Sequence, residues 1–123
     1  MTRKPSYSVI CGLAAVFVLA AAPAWAQDIM FMRDTPYTHF TKEDRAMFDS
    51  AMKEALDTSA DGESRAWSNP ATRASGELRP VKSFERKGQK CRRLYIANKA
   101  QGRSGSGEYN FCKQESGKWT LAN

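Results

Sequence analysis

Two cysteines, Cys91 and Cys112, constrain the fold of this chain more than any other feature of its sequence. They flank a segment that is rich in basic residues, aromatic residues and glycine. Such a pair can bind a metal, act as a redox centre or form a structural disulfide, and each alternative implies a different class of protein. The choice depends first on whether the cysteines meet an oxidising compartment.

The first 26 residues have the three parts of a secretory signal peptide. Its start is positive, its middle is apolar and its end offers small residues for cleavage: Arg3-Lys4, Val9–Ala22 and Ala24-Trp25-Ala26. The apolar run is shorter than the roughly 20 residues that a membrane-spanning helix needs. We therefore predict export of the chain, to the periplasm or the medium, with cleavage after Ala26.

Export leaves two cysteines in an oxidising environment. Cys11 precedes most of the apolar run and follows the bulky Ile10, so we expect it to leave with the signal peptide and predict no lipoprotein. A zinc site needs four ligands, and a thioredoxin-like centre needs Cys-x-x-Cys. The sequence has no such motif, and its only histidine is His39. We therefore predict a structural Cys91–Cys112 disulfide, with neither a metal nor another cofactor.

The processed chain begins with a segment and a helix of different character. Residues Gln27–Phe40 show little periodicity and are predicted to form an extended lead-in. Thr41 and Asp44 have the spacing of a capping box, which predicts that a helix starts there. Apolar residues then recur at helical spacing and predict one buried face: Met47, Phe48, Ala51, Met52, Ala55 and Leu56. The residues from Thr58 to Gly62 are predicted to end the helix.

After Gly62 the pattern changes to short β-like runs separated by turn residues. Five strands are predicted: Glu63–Ser68, Glu77–Arg86, Lys90–Asn98, Glu108–Gln114 and Lys118–Ala122. The glycine- and serine-rich stretch Gly102–Gly107 is predicted to be a flexible connection, and Glu115–Gly117 a tight hairpin turn. The expected domain, residues 41–123, is α+β: one amphipathic helix packed on a small twisted antiparallel sheet of four to five strands, with one disulfide.

An ordered series of short motifs runs through this domain after the helix end Glu54-Ala55-Leu56. The series is Gly62, Trp67 with Asn69-Pro70, Ser75-Gly76, Pro80, Cys91-Arg92, Tyr95, Tyr109, Cys112 and Gly117-Lys118-Trp119. Over about Phe40–Leu121 the chain thus resembles the surface-antigen domain of bacterial envelope proteins, the family named for the 17-kDa outer-membrane antigen. The resemblance implies a non-catalytic envelope domain. Family members often carry a lipobox and a glycine-zipper segment, and neither is seen here, so we expect a free periplasmic or secreted form.

The residues also favour a protein that is not an enzyme. A catalytic triad would have to use His39, which lies beside the predicted helix start. Gly102–Gly107 lacks the Gly-Lys-Ser/Thr ending of a P-loop. It also lacks the G-x-S-x-G pattern of a nucleophile elbow, because Ser106 stands where the second glycine should be.

A basic tract is the remaining candidate site. It consists of Lys82, Arg86, Lys87, Lys90, Arg92, Arg93 and Lys99, interleaved with Phe84 and Tyr95. Such a face would attract polyanions of the envelope, such as those of the outer membrane, or a protein partner. Two alternatives stay open: a merely solvated basic face, and binding of single-stranded nucleic acid, which export disfavours.

A second class of function also stays open. The chain would then be a small secreted or periplasmic inhibitor or binding module, with Arg103 in the loop Ala100–Gly107 entering a partner's cleft. A third hypothesis makes Gln27–Phe40 a docking tail.

Overall fold

One helix and one sheet form the domain. The computed structural model describes residues 2–3, 12 and 35–122. A short 3₁₀ turn at Pro36–His39 precedes the helix α1, Lys42–Thr58. Five strands follow: β1 Arg65–Asn69, β2 Ala74–Arg86, β3 Gln89–Ala100, β4 Arg103–Lys113 and β5 Trp119–Ala122. The strands form one antiparallel sheet in the order β1-β2-β3-β4-β5. This confirms the predicted α+β class. The predicted signal peptide and residues 27–34 lie outside the described residues, apart from 2–3 and 12.

The helix begins as the sequence predicts. The Thr41 hydroxyl accepts a hydrogen bond from the Asp44 backbone N–H at 3.1 Å, and the Asp44 carboxylate accepts one from the Thr41 N–H at 3.0 Å. This reciprocal pair is the capping box. The buried face of α1 is narrower than predicted, because Met47 is 37% exposed. Its buried apolar residues are Phe48, Ala51, Ala55 and Leu56.

The described end of the lead-in is not extended, so that part of the prediction is wrong. Pro36 occupies the first turn of the 3₁₀ segment, where its fixed φ suits a helical start. Phe40 is buried and lies edge-on to Trp67, with 5.1 Å between the ring centroids. Phe48 of α1 joins the same cluster at 6.1 Å from Trp67. The aromatic cluster therefore holds this segment in the core.

Asp44 is the buried polar anchor at the start of α1. Its carboxylate accepts hydrogen bonds from Asn69 Nδ2 at 2.7 Å and Thr72 Oγ1 at 2.6 Å, and so joins the helix to the β1–β2 connection. Burial by itself would raise the pKa of Asp44. The hydrogen bonds from Thr72, Thr41 and Asn69 outweigh that effect and hold its pKa below the ordinary value.

The β3–β4 connection is shorter than predicted. Only Gln101 and Gly102 connect the strands, with φ of 51° and 72°. Two successive residues with positive φ suit a two-residue hairpin turn, whose twist matches that of the strands. Arg103–Gly107 pairs with β3, so the flexible connection predicted over Gly102–Gly107 is wrong.

The disulfide is confirmed. Cys91 of β3 lies directly opposite Cys112 of β4, with 4.0 Å between the Cα atoms and a bond between the sulfurs. Both cysteines are buried. The bond joins the start of β3 to the end of β4, where β4 also pairs with β5.

We expect Asp44→Ala to lower the free energy of unfolding by about 2–4 kcal/mol, because it leaves Asn69 and Thr72 without their buried charged acceptor. Urea unfolding at neutral pH measures this. Glu43→Ala is the matched control, since Glu43 is an exposed carboxylate in the same helical turn. Equal losses in the two variants would contradict the anchor role.

The stability difference between wild type and Asp44→Ala should depend on pH. A carboxylate whose pKa is lower in the folded chain binds fewer protons there than in the unfolded chain. The stabilisation by Asp44 is therefore complete above its ordinary unfolded pKa of about 3.9, and it is lost as the pH falls through the folded value. We expect the stability difference between wild type and Asp44→Ala to shrink in that acid range.

Reduction of the disulfide should cost about 3 kcal/mol of stability, since the bond closes a loop between residues 21 positions apart. The double variant Cys91→Ala/Cys112→Ala should show the same loss and no response to reductant. Thermal unfolding with and without dithiothreitol measures both. A reductant effect on the double variant would show that the loss has another origin.

Candidate polyanion-binding site

The two faces of the sheet have different roles. Alternate residues of a strand point to opposite sides, and directly paired residues of neighbouring strands share a side. Leu78 pairs with Ile96 and Pro80 with Leu94, and these residues are buried in the core beneath α1. We call this side the inner face and the opposite side the outer face.

The predicted basic tract is divided between these faces and does not form one patch. Lys82 pairs with Arg93 on the outer face, and alternation places Arg86 and Lys99 there too. Arg92 pairs with Ser83, and Lys90 with Glu85, on the inner face. Lys87 lies in the turn between β2 and β3. Neighbours in sequence, such as Arg92 and Arg93, therefore point to opposite sides.

The Arg92 side chain makes contacts that hold the helix on the sheet. Its guanidinium donates hydrogen bonds to the Ala55 carbonyl at 3.1 Å and the Leu56 carbonyl at 2.9 Å, which belong to the last turns of α1. It also donates to Asp61 at 2.8 Å, and its side chain is only 11% exposed. This hydrogen bond from Arg92 is the main cause that lowers the pKa of Asp61. A cation here donates to carbonyls at the C-terminal end of the helix, of which that of Ala55 also accepts from the Ser59 N–H, and it lies at the negative end of the helix dipole.

The outer face carries a group of four cations, which we call the outer basic cluster: Arg79, Lys82, Arg86 and Arg93. Lys82 and Arg93 lie directly opposite each other, although like charges in that position destabilise a sheet. Arg93 Nε lies 3.0 Å from a Glu108 oxygen, whereas Lys82 makes no ion pair within residues 35–122. Cationic groups therefore outnumber the carboxylates, Glu77 and Glu108, that lie among them.

Aromatic rings lie between these cations. Lys82 Nζ is 5.5 Å from the centre of the Phe84 ring, and the Arg79 guanidinium carbon is 4.8 Å from that of Tyr95. Arg79 was missed in the sequence prediction. A register shift between Pro80 and Lys82 brings it to the same face as Lys82, and alternation alone would have separated the two.

The other predicted site residues lie apart from the cluster. Lys99 is six residues from Arg93 along β3, a distance of about 20 Å. Arg103 is the exposed first residue of β4. The His39 carbonyl accepts a hydrogen bond from Gln101 Nε2 at 3.3 Å, which ties the 3₁₀ turn to the β3–β4 turn. Across the described part of the chain, no group of three or more His, Cys, Asp or Glu residues could hold a metal ion.

These features define a small disulfide-bonded α+β domain with a basic outer face. The family model for the 17 kDa outer membrane surface antigen matches residues 54–120, more than half of the chain, and the chain belongs to this family. The match confirms the predicted resemblance, although it begins within α1 and not at Phe40. Searches of curated proteins and of solved structures gave no match.

Family membership indicates an exported protein of the cell envelope, as the description outer membrane surface antigen implies. That description names no catalytic activity. In the residues that the structure describes, α1 is too short and too polar to cross a membrane.

We expect Arg92→Ala to lower the free energy of unfolding by about 2–4 kcal/mol, because it removes the hydrogen bonds that the buried guanidinium donates to the Ala55 and Leu56 carbonyls and to Asp61. Arg93→Ala is the matched control and should cost less than about 1 kcal/mol, since its ion pair with Glu108 is half-exposed. Chemical denaturation of both variants measures the difference. A loss in Arg93→Ala as large as in Arg92→Ala would contradict this assignment.

Proposed function

We propose that this protein is a non-catalytic, exported envelope protein whose outer basic cluster binds polyanions of the envelope. The relevant chemistry is a surface of phosphate groups, such as that of lipopolysaccharide. The family supports the location, and the cluster supplies the binding surface.

The juxtaposition of Lys82 and Arg93 is the observation that carries this proposal. The positions of Lys82 and Arg93 could each hold an uncharged polar residue. Two cations directly opposite each other on neighbouring strands weaken the sheet. An anionic ligand reverses that effect, because it interacts favourably with both charges at once. Neither side chain is required for the core, since both project from the face opposite α1.

The aromatic residues fit the same role. The rings of Phe84 and Tyr95 hold Lys82 and Arg79 by cation–π contacts, which limits the freedom of both cationic side chains. A cation that is already positioned loses less conformational entropy on binding. The cluster therefore combines excess charge with partial preorganisation.

The inhibitor hypothesis has less support. It places Arg103 in a loop over Ala100–Gly107 that enters a partner's cleft, and that segment consists of strand residues around a two-residue turn. Arg103 lies at the end of the sheet, outside the outer basic cluster.

The test is cosedimentation of the disulfide-bonded protein with vesicles that contain lipopolysaccharide, across a salt series. We expect binding that weakens as salt rises, because salt screens exposed charges. Lys82→Ala/Arg93→Ala should reduce binding about thirtyfold, since each cation near an anionic surface contributes about 1 kcal/mol.

The charge-matched control is Lys42→Ala/Lys53→Ala. Both of these lysines are exposed on α1, on the other side of the domain, and the variant loses the same net charge. Equal weakening in the two double variants would show an effect of net charge alone and would contradict a specific face. Binding that does not respond to salt would indicate a protein partner or an apolar contact instead.

A further inference from the structure

A depression of about 440 Å³ lies on the outer face beyond the outer basic cluster. Three neighbouring strands form it, and the side chains that line it on this face are Ser75, Glu77, Tyr95, Ala97, Lys99, Ser104 and Ser106. No residue of the outer basic cluster lines it. Its floor is the pair Ala97 and Ser106, which lie directly opposite each other. The depression exists because these two side chains are small, while Tyr95 and Lys99 rise on either side along β3.

The alternation of serine and glycine in β4 explains how the sequence builds this depression. Gly105 and Gly107 face inward, where a Cβ atom would come within 2.9 Å of the Pro36 ring and 2.8 Å of the Tyr109 hydroxyl, respectively. The rigid Pro36 ring therefore excludes a side chain at Gly105, whereas at Gly107 the Tyr109 side chain would have to shift. The outward positions are under no such restriction, and they carry Ser104 and Ser106, whose hydroxyls face solvent.

The lining offers a dense set of hydrogen-bonding groups. Each of the three serine hydroxyls can both donate and accept. Lys99 is exposed and makes no ion pair within residues 35–122. Glu77 lies directly beside Ala97 of the floor, and its carboxylate also contacts Ser64 and Arg79. The Ala97 methyl group and the Tyr95 ring add apolar surface. Hydroxyl groups beside a small apolar patch match the alternating polar and apolar faces of a sugar ring.

The position within the sheet disfavours a peptide ligand. A peptide that adds to a sheet needs an unpaired strand edge. Ala97 belongs to β3, whose backbone is paired with β2 on one side and with β4 on the other. The depression thus offers side chains and no free edge. Its volume lies in the range of small-molecule sites and exceeds what a single inorganic anion would fill.

We propose that this depression binds a saccharide unit that carries an acidic group, with the serine hydroxyls on the ring hydroxyls and Lys99 on the acid. No residue of the outer basic cluster lines the depression, although Glu77 and Tyr95 of the lining contact Arg79 of that cluster. The Lys82→Ala/Arg93→Ala variant substitutes neither Arg79 nor a lining residue, so the two proposals can be tested apart.

The test is titration of the isotope-labelled, disulfide-bonded protein by NMR with two sugars. N-acetylmuramic acid carries a carboxylate, and N-acetylglucosamine is its uncharged counterpart. We expect amide shifts at Ser75, Ala97 and Ser106 with both sugars, and tighter binding of the acid. Shifts confined to other residues, or no shifts with either sugar, would overturn the proposal.

Two variants and a control separate the contributions. Ser106→Tyr fills the depression with a residue that suits a strand, and it should weaken both sugars by about tenfold or more. Lys99→Gln keeps the shape and should reduce the affinity for the acid to that for the uncharged sugar. It therefore serves as a second test if Ser106→Tyr fails to fold. Val81→Tyr adds the same ring at an exposed position outside the depression and should change neither affinity.

Trialanine is the probe for the competing ligand class, because it carries a carboxylate without a sugar ring. Binding of trialanine at Ala97 and Ser106 as tight as that of the acidic sugar would contradict a saccharide site. Unchanged sugar binding in Ser106→Tyr would also contradict a saccharide site in this depression. Loss of vesicle binding in the Lys82→Ala/Arg93→Ala variant bears only on the outer basic cluster.

Discussion

The guanidinium of Arg92 fixes the end of α1 on the sheet, and much of the remaining structure depends on that contact. The helix is held at its other end by the Asp44 carboxylate, which accepts from Asn69 and Thr72. A negative group thus lies at the helix start and a positive one at its end, which is the favourable arrangement for the helix dipole. Trp119 strengthens the second attachment, because its indole N–H donates to Asp57 at 2.8 Å and so joins β5 to the helix. Polar contacts set the position of the helix, and the aromatic cluster fills the space beneath it.

This arrangement leaves the two sides of the sheet under different constraints. On the inner face, side chains have to fit the space between the sheet and α1. Even the charged Arg92 on that face makes hydrogen bonds that hold the helix in place. On the outer face no helix within residues 35–122 imposes such a limit, so cations, serines and rings can be placed according to what they contact. The disulfide contributes to this freedom, because it stabilises the pairing of β3 and β4 by a covalent bond and not by packing of outer-face side chains.

The sequence was sufficient for the features that depend on local pattern. The capping box, the helix, the succession of strands along the chain and the disulfide could all be predicted, since spacing and compartment determine them. The length of β4 could not, because serine and glycine have low strand propensity, and tertiary pairing with β3 overrides it. The candidate site was less predictable still. Which cations share a face depends on register, and the shift between Pro80 and Lys82 cannot be located from composition. The serine depression was likewise hidden, since it requires three strands side by side.

The aromatic cluster has a consequence for how the boundaries of this domain are drawn. The segment that matches the family begins at residue 54, whereas Trp67 within it is packed against Phe40 and Phe48, which precede it. The segment that the family model matches is therefore shorter than the unit that folds. A fragment that begins at residue 54 would leave Trp67 without the two rings that pack against it. The folding unit thus has to be taken from the packing around this tryptophan, and it includes the turn before the helix.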